Sequence, residues 1–226
     1  MGLMQKMIFW DWTGTLADES RLDAAVCRAI EAELAQVYGI PDVRAAERFQ
    51  AYLKSLENTW EWHDYVRHAR HFGLDWLSSQ KVHLSKLKLV PYAGEILLHA
   101  REKGYKNILA TNAVRAVVLL RLEHSGLKTL MDAVVASDDA GGLKAEGRHF
   151  ACISDLSPED LPFCFSVGDN PIQDIRPAQE LGIRTIFCGF GRDLTHYHSP
   201  HLYDNHDISA DADFKVQSLR DIESII

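Results

Sequence analysis

Met7-Ile8-Phe9-Trp10-Asp11-Trp12-Thr13-Gly14-Thr15 is the stretch that decides how this chain folds. Four apolar residues in a row, closed by turn-forming residues, read as a short strand buried on both faces, the kind found in parallel sheets. Asp11 ends that run and Gly14 opens a tight turn behind it. A carboxylate at the end of a buried strand is costly to desolvate, and a chemical role for it explains the placement.

Working outward, short apolar and β-branched runs recur near residues 107–111, 133–136, 163–168 and 184–188, and they alternate with helical patterns. Residues 93–104, with Ile96, Leu97 and Ala100, and residues 113–126, with Val117, Val118 and Leu122, read as amphipathic helices that end at Gly. Alternating strand and helix predicts an α/β fold, a doubly wound parallel sheet covered on both faces. About seventy residues without a strand follow the first one, too many for a simple crossover. That segment reads as helices, with Leu22, Val26, Ala29, Ile30 and Leu34 on one face and Phe49, Leu53 and Leu56 on another. Pro91-Tyr92-Ala93-Gly94 marks the return to the sheet. The expected organisation is a core of residues 1–17 and 89–226 with a helical cap of residues 18–88 inserted into it.

Composition narrows the class. A chain of 226 residues, 46% apolar, can bury a full core. Its net charge of -8 argues against nucleic acid or an anionic membrane as the main partner. No apolar run approaches the length of a membrane span, and the opening residues are too short and polar for a signal peptide. Cys27, Cys152, Cys164 and Cys188 form no CxxC pair, so free buried thiols in a reducing cytoplasm are expected.

Ligands of an open parallel sheet bind at the carboxyl ends of its strands. Asp11, Thr111-Asn112 and Gly168-Asp169 fall at such ends, with Lys144 in Gly141-Gly142-Leu143-Lys144 and Asp174 five residues beyond Asp169. In that order, these elements resemble the haloacid dehalogenase superfamily, most of whose members transfer phosphoryl groups through an aspartyl-phosphate. The resemblance runs from Ile8 to about Ile226 and implies a Mg²⁺-dependent phosphatase acting on a small phosphorylated metabolite. On that basis Asp11 matches the nucleophile, and Lys144 matches the cation that offsets the charge crowded around phosphate. Gly14, Thr111, Asn112 and Lys144 match the phosphate-binding positions. Asp11, the Thr13 carbonyl, Asp169 and Asp174 match the metal positions, with Asp174 either reaching metal through water or holding Lys144. A helix N-cap is a competing role for Asp174. The helical insert resembles the superfamily's C1 cap.

Thr13 is the departure. Phosphatases of this superfamily usually carry Asp two residues after the nucleophile, where it protonates the leaving alcohol and later activates water. Threonine cannot do this at neutral pH. Slow hydrolysis, a substrate whose leaving group needs no proton, and a proton supplied by a cap residue are all open at this point. So is phosphonatase-like cleavage of a C–P bond, which needs a cap lysine, Lys54 being the best placed and Lys81, Lys86 and Lys88 poorer. A further alternative is a weakly catalytic protein that binds a phosphorylated ligand.

Two other features stand apart. Trp62, Tyr65, Val66, Ala69 and Phe72 follow helical spacing and are expected to pack inward, whereas Trp60, His63, Arg67, Arg70 and His71 form a basic, aromatic face that is either an ordinary solvated surface or a grip for an anionic substrate beneath the cap. His196, His198, His201 and His206 cluster near the end without metal-type spacing.

Overall fold

The computed structural model describes residues 5–153, 156–190 and 212–226. Its centre is β1 (Met7–Trp10), whose side chains alternate between two layers as the strand period requires. Ile8 and Trp10 join one apolar cluster, with Ile96 and Leu97 of α5 (Ala93–Glu102) and Val118 and Leu122 of α6 (Arg115–Ser125). Met7 and Phe9 join another, with Phe150 of the short helix Arg148–Ala151 and Ala178 of the helix Arg176–Glu180. Burial on both faces explains why the strand is apolar at every position.

Around β1 a six-stranded sheet forms in the order β5-β4-β1-β6-β7-β8, every pairing parallel. The other members are β4 (Lys106–Thr111), β5 (Ala133–Ala136), β6 (Phe165–Gly168), β7 (Arg184–Phe187) and β8 (Phe214–Lys215). The chain leaves β1 for β4 on one side and later returns to β6 on the other, so the strand order reverses at β1. This crevice is where ligands of doubly wound sheets bind. Asp11, Thr111 and Asp169 stand at the carboxyl ends of β1, β4 and β6.

Between β1 and β4 lie α1 (Ser20–Tyr38), α2 (Asp42–Ser55), α3 (Tyr65–His71) and α4 (Trp76–Lys81). They pack around their own cluster of Leu22, Val26, Ile30, Leu34, Phe49, Phe72 and Leu84. A two-stranded antiparallel ribbon, β2 (Ala17–Asp18) with β3 (Lys88–Leu89), gathers the two ends of this insert. It escaped the sequence reading because two-residue strands carry no periodicity. The two-residue β8 escaped for the same reason.

Other expectations need correction. The helix expected over 113–126 starts at Arg115, after Val114 takes the extended N-cap conformation. The strand expected over 163–168 begins at Phe165, because Leu161–Phe163 form a 3₁₀ turn around Pro162. Of the four thiols, all free, Cys164 and Cys188 are buried, Cys27 is half-buried and Cys152 is exposed. The four C-terminal histidines lie outside the described residues. No described helix is long and apolar enough to cross a membrane.

Candidate active site

The turn after β1 is built to present Asp11. Gly14 has φ near 90°, a conformation that an L side chain rarely adopts, and donates its N–H to Ala17 at 2.7 Å. Leu16 and Ala17 donate back to the Trp12 carbonyl at 3.0 and 2.9 Å, and Trp12 is fully buried. The Asp11 N–H continues the sheet by donating to the Val167 carbonyl at 2.9 Å. Its side chain is held at both oxygens. The Thr15 hydroxyl donates to Oδ2 at 2.9 Å and the Lys144 ammonium donates to Oδ1.

Lys144 is buried and also donates to Asp174 Oδ1 at 2.6 Å. Burial works against its charge, but Asp11 and Asp174 hold the ammonium above the usual lysine range. Asp174 lacks that advantage: burial pushes its carboxyl up to about 7, and the neighbouring Asp11 charge adds to the effect while Lys144 opposes it. One ammonium therefore serves more carboxylates than it can neutralise. Asp11, Asp169 and Asp174 offer oxygens all within 4.8 Å of one another, and all three are buried. Such an excess of anionic oxygen ligands fits a hard divalent cation.

The helix-cap role considered for Asp174 belongs to Asn170 instead, whose side chain accepts from the N–H groups of Ile172 and Gln173 at 3.0 and 3.2 Å. Asp174 is thereby free to face the site, with Oδ2 accepting from the Asn170 N–H at 3.0 Å. It fits only because residue 168 is glycine: a Cβ there would lie 2.2 Å from the Asp174 carboxyl.

Thr111 is buried and its hydroxyl oxygen accepts from the Ala113 N–H at 3.1 Å, which shapes the turn after β4. The Asn112 side chain aligns the lysine loop, with Oδ1 accepting from the Lys144 N–H at 2.9 Å and Nδ2 donating to Gln173 Oε1 at 3.2 Å. Gln173 Oε1 also accepts from the Ala145 N–H at 2.8 Å. Gln173 and Thr15 went unread as partners in the sequence; a hydroxyl four residues past Asp11 in a tight turn was the available signal for Thr15.

The insert roofs this cluster. A cavity of about 470 Å³ runs from Asp11, Thr13, Thr111, Asn112, Lys144 and Asp169 to Trp62, His63 and Tyr65. One expectation about the insert therefore fails, and one of two alternatives is favoured. Trp62 is 38% exposed and lines the cavity where inward packing was expected, and His63 lines it too, as the substrate-facing alternative for its face requires. The reason is that residues Trp60–His63 form a 3₁₀ turn, which breaks the helical spacing before α3. Burial, with the nearby Lys144 charge, pushes the His63 imidazole down to about 4. Arg67, Arg70 and His71 are exposed as read. Lys54 is exposed on α2, and none of Lys54, Lys81, Lys86 and Lys88 lines this cavity.

Arg121 of α6 ties roof to floor. It is 1% exposed, and its guanidinium donates to Glu19 Oε1 at 2.6 Å, Asp23 Oδ1 at 2.8 Å and Gln80 Oε1 at 3.0 Å. Glu19 also accepts from Trp12 Nε1 at 2.5 Å and from the Thr13 hydroxyl at 2.7 Å.

A buried carboxylate at the switch point of a doubly wound sheet, beside a buried lysine and two more carboxylates, is the arrangement of a ligand-binding, chemically active crevice. A family model described as haloacid dehalogenase-like hydrolase matches residues 5–182, and the chain belongs to that family. Among curated relatives, it is 32% identical over 106 residues to the phosphoserine phosphatase of Thermus thermophilus, a match spanning 46% of this chain and 41% of that one. It is 27% identical over 201 residues to the glyceraldehyde 3-phosphate phosphatase of Pyrococcus abyssi, across 84% and 83% of the two chains. The crystal structure of a HAD phosphatase from Thermococcus onnurineus superposes with a TM-score of 0.80 at 23% identity, over 98% of this chain and 97% of the other.

Proposed function

We propose that this chain is a Mg²⁺-dependent phosphatase that hydrolyses a small phosphorylated metabolite through an aspartyl-phosphate on Asp11. The observation that carries the reading is the setting of that carboxylate, fixed by Thr15 and Lys144 at the floor of a roofed cavity. The phosphatases among its relatives support the same chemistry. A cavity of about 470 Å³ suits a small metabolite.

Asp11, Asp169 and the Thr13 carbonyl are the residues that would hold magnesium, with Asp174 contributing by holding Lys144. When bound, the ion offsets phosphate charge and polarises the P–O bonds. The protein's own groups do the rest. Lys144 neutralises charge at the nucleophile, Gly14 leaves room beside Asp11 for phosphate oxygens, Thr111 and Asn112 line the wall where those oxygens would sit, and the insert covers the cavity. The free thiols and acidic surface suit a cytoplasmic enzyme.

Phosphate release from an aryl phosphate, with and without Mg²⁺, compares wild type with Asp11→Asn. Metal-dependent turnover that the variant loses is the expected result. Turnover indifferent to Asp11, or none at all, overturns the reading.

A further inference from the structure

We infer that Glu19 pins the Thr13 hydroxyl as a hydrogen-bond acceptor toward the cavity, so that Thr13 orients the water that cleaves the phosphoenzyme but cannot protonate a leaving group. The inference rests on the phosphatase reading above. A threonine hydroxyl has one proton and two lone pairs, and normally rotates to suit its neighbour. Here its proton is committed, since it donates to Glu19 Oε2 at 2.7 Å. The carboxylate is itself immobile: Glu19 is 2% exposed and its other oxygen is held by Trp12 Nε1 and Arg121 Nη1. An ionised carboxylate only accepts, so the hydroxyl cannot turn round without breaking a charge-assisted bond. Thr13 is exposed and lines the same cavity as Asp11, so with its proton committed to Glu19 the hydroxyl has only lone pairs to offer there.

Two chemical consequences follow. In the first step an Asp11 oxygen bonds to phosphorus, the bond from phosphorus to the leaving oxygen breaks, and that oxygen departs with both electrons. An acceptor beside it gives no proton, so leaving groups stable as anions, aryl, enol or acyl, are favoured over alkoxides. In the second step water oxygen bonds to phosphorus, the Asp11 oxygen to phosphorus bond breaks, and the carboxylate is restored. The water proton leaves on the phosphate product, so Thr13 need only accept a hydrogen bond to aim the attack. Glu19 is thus a positioning residue that acts through Thr13.

Rapid quench with a labelled aryl phosphate measures formation and decay of the phosphoenzyme separately. Thr13→Val, at an exposed site where folding is not at issue, is expected to slow decay by about 10²-fold, the scale of a lost orientation. Formation is expected to stay within a few-fold of wild type, and Thr13→Ser to restore decay. Glu19→Gln is expected to slow decay in the same direction. Across phosphate esters of rising leaving-group pKa, formation is expected to fall steeply in wild type and less so in Thr13→Asp. Decay at the wild-type rate in Thr13→Val, with Asp11→Asn inactive, overturns this inference alone. Activity that survives Asp11→Asn overturns the phosphatase reading, and this inference with it.

Discussion

Single residues at this site are constrained by their neighbours' shapes as much as by chemistry. Gly168 has no side chain because the Asp174 carboxyl occupies that space, at 2.2 Å from where a Cβ would stand. Gly168→Ala is therefore expected to displace Asp174 from Lys144, lowering the denaturation midpoint by the equivalent of about 1–3 kcal/mol and cutting turnover in parallel. Wild-type turnover in that variant would mean that Asp174 has no part in the site. His149 illustrates the opposite case, a buried group outside the chemistry. Its Nε2–H donates to the Thr111 carbonyl at 3.0 Å, and Nδ1 has no partner among the described residues. Burial and the Lys144 charge push its imidazole down to about 4 from an ordinary 6.5. A histidine whose folded pKa is depressed contributes stability that is fully present above pH 6.5 and is lost as pH falls toward 4. The loss amounts to about 3 kcal/mol at most. Asp23, which burial raises to about 6, works the other way over part of this window, so the wild-type curve alone does not isolate the histidine. The difference in unfolding free energy between wild type and His149→Asn does, and it is expected to shrink between pH 6.5 and 4; a constant difference refutes the assignment.

At the scale of elements, the insert and the sheet are joined by more than the β2–β3 ribbon. Arg121 leaves α6 and enters a buried set of acceptors from the start of α1 and from α4. Removing one member of a buried ion pair strands the other, so Arg121→Met is expected to cost about 3–5 kcal/mol. Glu19→Gln combined with Arg121→Met is expected to recover part of it. Additive losses in that cycle, followed by denaturant unfolding, would show that the pair is not coupled. None of this was legible beforehand. Arg121 reads as one polar residue on an amphipathic helix, and Glu19 as an acid near a helix start; their union across about a hundred residues is a tertiary fact. The five longer strands and the helical insert could be read, because buried strands are continuously apolar and the insert keeps a 3.6-residue period. The period failed at Trp60–His63, and there the inward assignment of Trp62 was wrong.

Taken as a whole molecule, the strand order reverses at β1 and brings residues scattered from 11 to 174 to one crevice beneath the helical roof. Asp11, Thr111 and Asp169 stood out because each ends or follows a buried strand, and Lys144 because glycines mark its turn, whereas Asp174 lies within the helical turn Pro171–Ile175 and carried no such mark. Their partners Thr15, Asn170 and Gln173 were not legible, since they act by hydrogen bonds within a folded loop. Everything proposed for the molecule depends on a covalent phosphoryl group passing through Asp11. The direct measurement is to acid-quench the enzyme during turnover of a phosphate ester and locate the phosphoryl group by peptide mass spectrometry. A hydroxylamine-labile phosphoryl group is expected on the peptide carrying Asp11, absent in Asp11→Asn. Continued phosphate release with no such group, or with the group on another residue, would contradict a covalent route through Asp11.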